Sequence, residues 1–291
     1  VLPEADLDLL ALAFAILPWP EARKAALWEL VQREGRVPEG VADLDRVAAD
    51  LPRRRAEATA RGARLCLPGE PGVAALLEPL PYPVALWVRG TLPPEGPRLA
   101  VVGARKATSL GLARARAWSR AFAEAGVAVL SGLARGIDGA AHEGALQATG
   151  EDGQSIGGTW GILGSGLDHP YPPEHTGLMD RIVAGGGGVI TPFPPEALPQ
   201  KWHFPRRNLL LAAWTEGVLV IEAATRSGSL VTAKLAADLG REVWACPGGP
   251  EEPLSEGPNG LLRDGARLVR NPSDLLEDLG FETDPSRMRT R

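Results

Sequence analysis

The sequence is poor in cysteine, in lysine and in long apolar runs, and each shortage excludes something. Only Cys66 and Cys246 occur, 180 positions apart, which is neither a disulfide framework nor a zinc pattern. A reducing compartment, the cytoplasm, is therefore expected. The histidines, His142, His169, His175 and His203, show no ligand spacing with the cysteines, so no metal site is expected. The longest apolar stretches, such as 7–17, fall short of the ~20 residues that a bilayer crossing requires. They lack the charged flank and cleavage pattern of a leader, and no membrane partner is expected. The chain opens at Val1 rather than Met, which points to a processed or trimmed start. There are 4 lysines against 27 arginines, and only three asparagines, Asn208, Asn259 and Asn271. A GC-biased genome accounts for both skews, and scarce Asn fits the avoidance of thermolabile residues.

Catalytic patterns are missing too. There is no Walker P-loop, and Gly164-Ser165-Gly166 has His169 where a dinucleotide fingerprint needs its third Gly. His142-Glu143 lacks the second His of a zinc protease. Asp138 and His142 stand at i, i+4, which reads as a helix-surface pair or cap rather than an acid–base couple. Neither a catalytic set nor a cofactor is expected. The net charge of −5, taken alone, argues against a nucleic-acid binder, since such domains are usually basic. A global sum says nothing about distribution, however.

What the chain has in quantity is Gly (35) and Pro (27), so it turns often and approaches a ligand with bare backbone. Residues 1–68 read as a small helical domain, with apolar faces around Leu10 and Trp28 and a third run over 41–63. Residues 69–97 read as a Pro-rich connector holding one strand at 84–89. Residues 98–281 change rhythm. Short apolar strands at 99–102, 127–130, 160–163, 189–190, 218–221, 242–245 and 267–269 alternate with helices at 110–125, 137–148, 174–183, 208–213, 230–239 and 272–279. This rhythm predicts an α/β fold, a doubly wound, mostly parallel sheet with helices on both faces. Residues 282–291 read as a polar, frayed tail.

In such a sheet ligands sit beyond the carboxyl ends of the strands. The segments there are Gly103-Ala104-Arg105-Lys106, Ser131-Gly132, Gly164-Ser165-Gly166, the run Lys201-Trp202-His203-Phe204-Pro205-Arg206-Arg207-Asn208, and Ser227-Gly228-Ser229. Each precedes a helix whose free N–H groups favour anions. Between residues 98 and 123 there are six cations and no acid. Of these, Arg114, Arg116 and Arg120 read as the solvated face of a helix. Arg105 and Lys106 follow a buried strand, where surface solvation explains them poorly. The run at 201–208 interleaves cations with Trp202 and Phe204, as single-strand binders do, or else packs its rings inward. Asn208 reads equally as a helix N-cap, and Ser227-Gly228-Ser229 also fits ordinary turn chemistry. Residues 81–247 carry 15 basic and 14 acidic groups, while both flanks are net acidic.

Seven motifs occur in order: V-V-G-A-R (101–105), S-G-L-A-R-G-I-D-G-A-A-H (131–142), L-G-S-G-L-D-x-x-Y-P (163–172), F-P-R-R-N (204–208), E-A-x-x-x-S-G-S-L-x-T-A (222–233), G-R-E-V-W-A-C-P-G (240–248) and G-x-N-x-L-x-x-x-G-A (257–266). Together they resemble the bacterial DNA-processing protein DprA (Smf) family over roughly 80–275. The N-terminal helices resemble that family's sterile-alpha-motif-like (SAM-like) domain more loosely. The resemblance implies an extended Rossmann-like fold that binds single-stranded DNA without a cofactor. It implies a non-enzymatic homodimer that protects incoming strands in natural transformation and loads the RecA recombinase onto them. Carried over by position, Arg105 is the central phosphate contact, Lys201 a DNA-binding lysine and Phe204 a DNA-contacting ring. Ser131-Gly132 and Gly164–Gly166 become pocket walls. The alternative for one of Arg206 and Arg207 is a brace on the sheet by pairing with Glu222, and Asn208 has a structural alternative. The chain departs from the pattern at Ala104 (Ser or Thr is usual), in a looser Gly-rich 150–158, and at Thr191-Pro192 (an acidic Ser-Glu is common). Many members carry a C-terminal winged helix, and none is expected within this sequence, which ends at Arg291. The competing readings are a nucleoside-monophosphate phosphoribohydrolase of the lonely-guy type and a small-nucleotide sensor. The former's P-G-G-x-G-T breaks off here after Pro247-Gly248-Gly249.

Overall fold

The computed structural model describes residues 3–17, 19–38, 44–149 and 158–282. The stretch 150–157 and the tail beyond 282 lie outside the described residues, so the expectations for both stay there.

Alternation of apolar side chains builds the centre. In β3 (Arg98–Val102) Leu99 and Val101 face one layer of helices, while Ala100 and Val102 face the other. Both faces are dry, as a central parallel strand requires. β4 (Ala128–Ser131), β5 (Thr159–Ile162), β6 (Gly188–Thr191) and β7 (Gly217–Val220) are short and entirely buried, and β8 (Glu242–Ala245) is buried over its last two residues. The described strands form one sheet in the order β1-β2-β6-β5-β4-β3-β7-β8-β9, where β1 is Arg64–Cys66, β2 Leu86–Gly90 and β9 Arg267–Leu268. It is parallel from β6 to β9, with β2 antiparallel to β6 and β1 antiparallel to β2. The fold is thus the doubly wound α/β sheet that the rhythm predicts. One layer holds α5 (Ser109–Glu124), α6 (Ile137–Ala145) and α11 (Pro272–Asp278). The other holds α8 (His203–Ala213) and α9 (Gly228–Asp238). α7 (Thr176–Ala184) follows β5, and α10 (Glu256–Arg263) follows β8.

Three expectations change. The N-terminal segment is not purely helical, because β1 ends it and joins the sheet. Its helices α1 (Glu4–Ile16), α2 (Glu21–Glu34) and α3 (Leu44–Ala60) pack onto that extended edge, with Leu12 and Val47 beside Leu65 and Trp87. α8 begins at His203, five residues before the expected 208, since Pro205 sits in its first turn, where a missing N–H costs nothing. α10 and the short helix α4 (Ala74–Leu77) are additions. α10 carries Pro258 in its first turn, where Pro is again tolerated.

The strand order reverses at β3. From there the chain winds one way through β4 and β5, and the other way through β7 and β8. The crevice at such a switch point is where open α/β sheets place ligands.

Candidate nucleic-acid interface

A cleft of about 430 Å³ opens at this switch point, between the turn after β3, the turn after β7 and the helices α8 and α9. Its wall includes Gly103, Arg105, Lys106, Phe204, Arg207, Asn208, Ser227, Gly228 and Ser229. Nine of the expected site residues therefore meet in one place.

The turn after β3 is held open by its neighbours. Gly136 has φ +76°, and a side chain there would collide with the Ala104 carbonyl 2.1 Å away. Its bare backbone lets Ile137 N–H reach the Ala104 oxygen at 3.2 Å. The Glu222 carboxylate accepts from Thr108 N–H at 2.9 Å and from Thr108 Oγ1 at 2.5 Å, and Thr108 caps α5 through Gly111 N–H. Glu222 is therefore occupied by the α5 cap rather than by Arg206 or Arg207. Arg105 and Lys106 stand exposed on the turn so formed.

Beneath the cleft lies a buried charged cluster. Arg207 Nη1 donates to the carbonyls of Gly132 and Ile162, and its Nε donates to Asn208 Oδ1 at 2.9 Å. Gly132 has no room for a side chain, because the Arg207 guanidinium occupies it at 2.5 Å. Burial pushes the Arg207 guanidinium down to about 10, against the stabilising pull of Asp138. Burial likewise raises the Asp138 carboxyl, with Arg207 pulling the other way. Asp138 accepts from Gly132 N–H at 3.1 Å and Ala134 N–H at 3.3 Å. His142 is fully enclosed, bonded through Nδ1 to Thr159 Oγ1 at 2.8 Å, and burial holds it down to about 3. The surface pair expected of Asp138 and His142 is thus an interior one, because α6 lies under the sheet layer. Asn208 lies within α8, not at its cap, and its Nδ2 donates to the Gly228 carbonyl at 3.3 Å. It ties α8 to the start of α9, where Ser227 caps the helix by accepting from Ser229 N–H.

The remaining expected residues divide. Ser131 is buried and its Oγ donates to the Val101 carbonyl at 2.6 Å, so its hydroxyl faces the sheet and not the cleft. Gly132 lines a smaller recess beside the cleft, with Arg105, Phe204 and Tyr171. Gly164 lies under the Phe204 ring. Ser165 is buried, and Gly166 packs on the Pro194 and Pro195 carbonyls. Lys201 is exposed on the turn before α8, outside the cleft wall. Arg206 is buried on the opposite side of α8, above the rings of Tyr82 and Phe193, and away from the cleft. The aromatic run is split as well: Trp202 is 55% exposed, while Phe204 is half-buried with the Arg105 guanidinium 5.5 Å above its ring.

Sequence reasoning passed over Arg226, which lines the cleft on the turn after β7. Its place directly before Ser227 was the available signal. It also passed over Tyr171, whose ring meets Phe204 edge-on at 5.9 Å and carries Arg135 above it at 5.7 Å.

Ion pairing is uneven among the surface cations. Among the described residues Arg105, Lys106, Arg116, Lys201 and Arg226 form no ion pair, whereas Arg53, Arg54, Arg55, Arg61, Arg89 and Arg120 each hold a carboxylate. Exposed cations left uncompensated around one cleft produce a local positive field in an acidic chain. No group of three or more His, Cys, Asp or Glu side chains is placed to hold a metal ion among the described residues. No described helix is long and apolar enough to cross a membrane.

A family model described as DNA recombination-mediator protein A matches residues 72–280. Protein Smf of Escherichia coli (strain K12) is 44% identical over 207 residues, 71% of this chain and 54% of that protein. The DNA processing protein DprA of Bacillus subtilis is 36% identical over 68% of this chain and 64% of its own length. DprA of Streptococcus pneumoniae is 38% identical over 68% of each. The chain thus spans between half and two thirds of the length of the first two relatives. Among solved structures, DprA from Streptococcus pneumoniae matches with a TM-score of 0.73 at 28% identity, covering 97% of this chain and 99% of that one. DprA from Helicobacter pylori, described for its unique single-stranded DNA binding mode, matches with a TM-score of 0.61 at 26% identity over 70% of this chain and 91% of that one.

Proposed function

The chain belongs to the DNA recombination-mediator protein A family, and from that premise we propose that it binds single-stranded DNA in the cleft at the β3–β7 switch point. Arg105, Lys106 and Arg226 take phosphates, with Gly103 and the Ser227-Gly228-Ser229 helix start offering backbone. Phe204 offers a stacking face, and Lys201 extends the cationic rim. Gly132, Gly164, Ser165, Gly166, Arg207 and Asn208 shape the walls, while Ser131 and Arg206 support them from behind. The carrying observation is the set of unpaired cations beside a half-buried ring. Carboxylates close by are taken up in the interior, as Asp138 and Glu222 are. Phosphates to cations and bases to rings is the general chemistry of sequence-tolerant single-strand binding.

The finer reading is that the protein protects incoming strands in natural transformation and loads the RecA recombinase onto them. It acts as a cytoplasmic homodimer without catalysis of its own. Family membership supports this, and the whole-length relatives are the natural comparison for it. The nucleotide-hydrolase alternative draws no support from the cleft wall. The Pro247-Gly248-Gly249 turn is tied to Asn259, by 3.3 Å and 3.0 Å bonds at Gly248, and stands outside that wall.

The test is oligonucleotide binding, single- against double-stranded, over a salt series. Binding should prefer single strands and weaken steeply with salt. Arg105→Ala should weaken it about tenfold or more, since a charge-assisted contact is worth roughly 1.5–3 kcal/mol. Flat salt dependence, a duplex preference, or full binding by folded Arg105→Ala protein overturns the reading.

A further inference from the structure

On the far side of the Arg105–Lys106 turn lies a second groove of about 320 Å³, with Arg105 and Lys106 on its rim as well. Its walls come from α5, the start of α6 and the beginning of α7. Arg116 projects from α5, exposed and without an ion pair among the described residues. Its neighbours on that helix are spoken for: Arg120 holds Glu124 at 2.7 Å, and Arg114 is half-buried against Cys246 Sγ at 3.6 Å. The floor is the first turn of α6, lined by Gly136, Gly139 and Ala140. That turn carries the positive end of the helix dipole. The His175 ring fills the space a side chain at Gly139 would take, anchored by Nδ1 donating to the Leu133 carbonyl at 2.9 Å. The one carboxylate lining the groove among the described residues, Glu143, is engaged by Arg181.

We propose that the bound strand does not end in the main cleft but crosses the Arg105–Lys106 turn and lays its phosphodiester backbone in this second groove, against Arg116. The inference rests on the cleft being the primary single-strand site. Three observations carry it: the groove is continuous with the cleft through two shared cations, its free cation has no internal partner, and its acid is neutralised. Among the described residues no Phe, Tyr or Trp lines the groove, so its contacts are to phosphate and insensitive to base identity.

The experiment is fluorescence anisotropy on the full chain, with labelled oligothymidylates graded over roughly 4 to 16 nucleotides. Arg116→Glu should leave the shortest oligomers bound within about twofold of wild type and weaken the longest about fivefold or more. Arg116→Gln should flatten the slope of log affinity against log salt by about 0.7 for long oligomers only, the value of one lost single-strand phosphate contact. Arg120→Glu changes the same net charge on the same helix and should leave the length dependence intact. Equal weakening at every length, equal effects of Arg116→Glu and Arg120→Glu, or no effect of Arg116→Glu overturns the groove. Failure of the wild-type chain to bind any oligomer overturns the primary cleft, and the groove with it.

Discussion

Helix α3 and the turn after β3 are both rich in basic side chains, and the structure treats them in opposite ways. On α3, Arg53 and Arg54 share Asp50, Arg53 also reaches Glu57, and Arg55 holds Glu70. Just beyond the helix, Arg61 holds Asp168. On the turn, Arg105 and Lys106 hold no carboxylate among the described residues, and the same is true of Arg226 across the cleft. The two regions are alike in composition, but only one presents its charge outward. Pairing, not abundance, is what separates the arginines of α3 from the cations of the cleft. Arg207 is a third case, a buried cation balanced by backbone oxygens and by Asp138.

The contrast can be broken from several sides. The largest effect is expected on acidification. The unfolded chain protonates His142 near its ordinary 6.5, the folded chain only near 3. Its contribution is therefore complete above 6.5 and is lost as pH falls from there toward 3, by up to about 1.4 kcal/mol per pH unit. Urea midpoints taken from pH 7 to 4 should show this decline, and His142→Gln should flatten it. Burial withholds charge here, whereas on α3 the arginines hold the carboxyls of Asp50 and Glu196 ionised below their usual range. Next comes Arg207→Ala, which strands Asp138 and two carbonyls and should cost about 3 kcal/mol in urea unfolding. Lys106→Glu turns the cleft into a copy of the α3 pattern by giving Arg105 an internal partner. Single-strand affinity should drop about tenfold or more, on the order of 1.5–3 kcal/mol, with stability unmoved. The smallest effect belongs to Arg54→Ala. It breaks the 2.7 Å contact with Glu196, should cost at most about 1 kcal/mol of stability, and should leave oligonucleotide affinity within about twofold. A tenfold loss of affinity from Arg54→Ala would erase the distinction between the two regions.

Much of this was legible in the chain. The central strands announce themselves because each is a short apolar run closed by a small residue, and β8 begins and ends where the pattern says. Arg105 was legible because a cation directly after a buried strand has little structural reason to be there. What resisted were choices that depend on a neighbour's direction. Arg206 and Arg207 are adjacent on a helix, about 100° apart around its axis, and sequence does not say which faces the cleft. Neither was expected to bond to the carbonyls that end β4 and β5, since backbone partners leave no pattern in side chains. Ser131 turns inward for the same kind of reason, its hydroxyl serving a carbonyl of the adjoining strand. β1 escaped notice because a three-residue strand carries too short an alternation to register, and the strand expected at 84–89 appears as β2, whose antiparallel pairing with β6 leaves no mark in its own residues.

The sheet also has consequences for how copies of the chain could meet. Its two outer strands, β1 and β9, are only 3 and 2 residues long. Each carries an exposed arginine, Arg64 on one and Arg267 on the other, the latter tied to Glu242 and Asp278. Short, charged borders discourage backbone templating between molecules. A nine-stranded sheet of this kind is guarded against growing by one more strand, and so against the commonest route to β-aggregation. Recognition through side chains on the helical layers is written in shape and not in a repeating ladder.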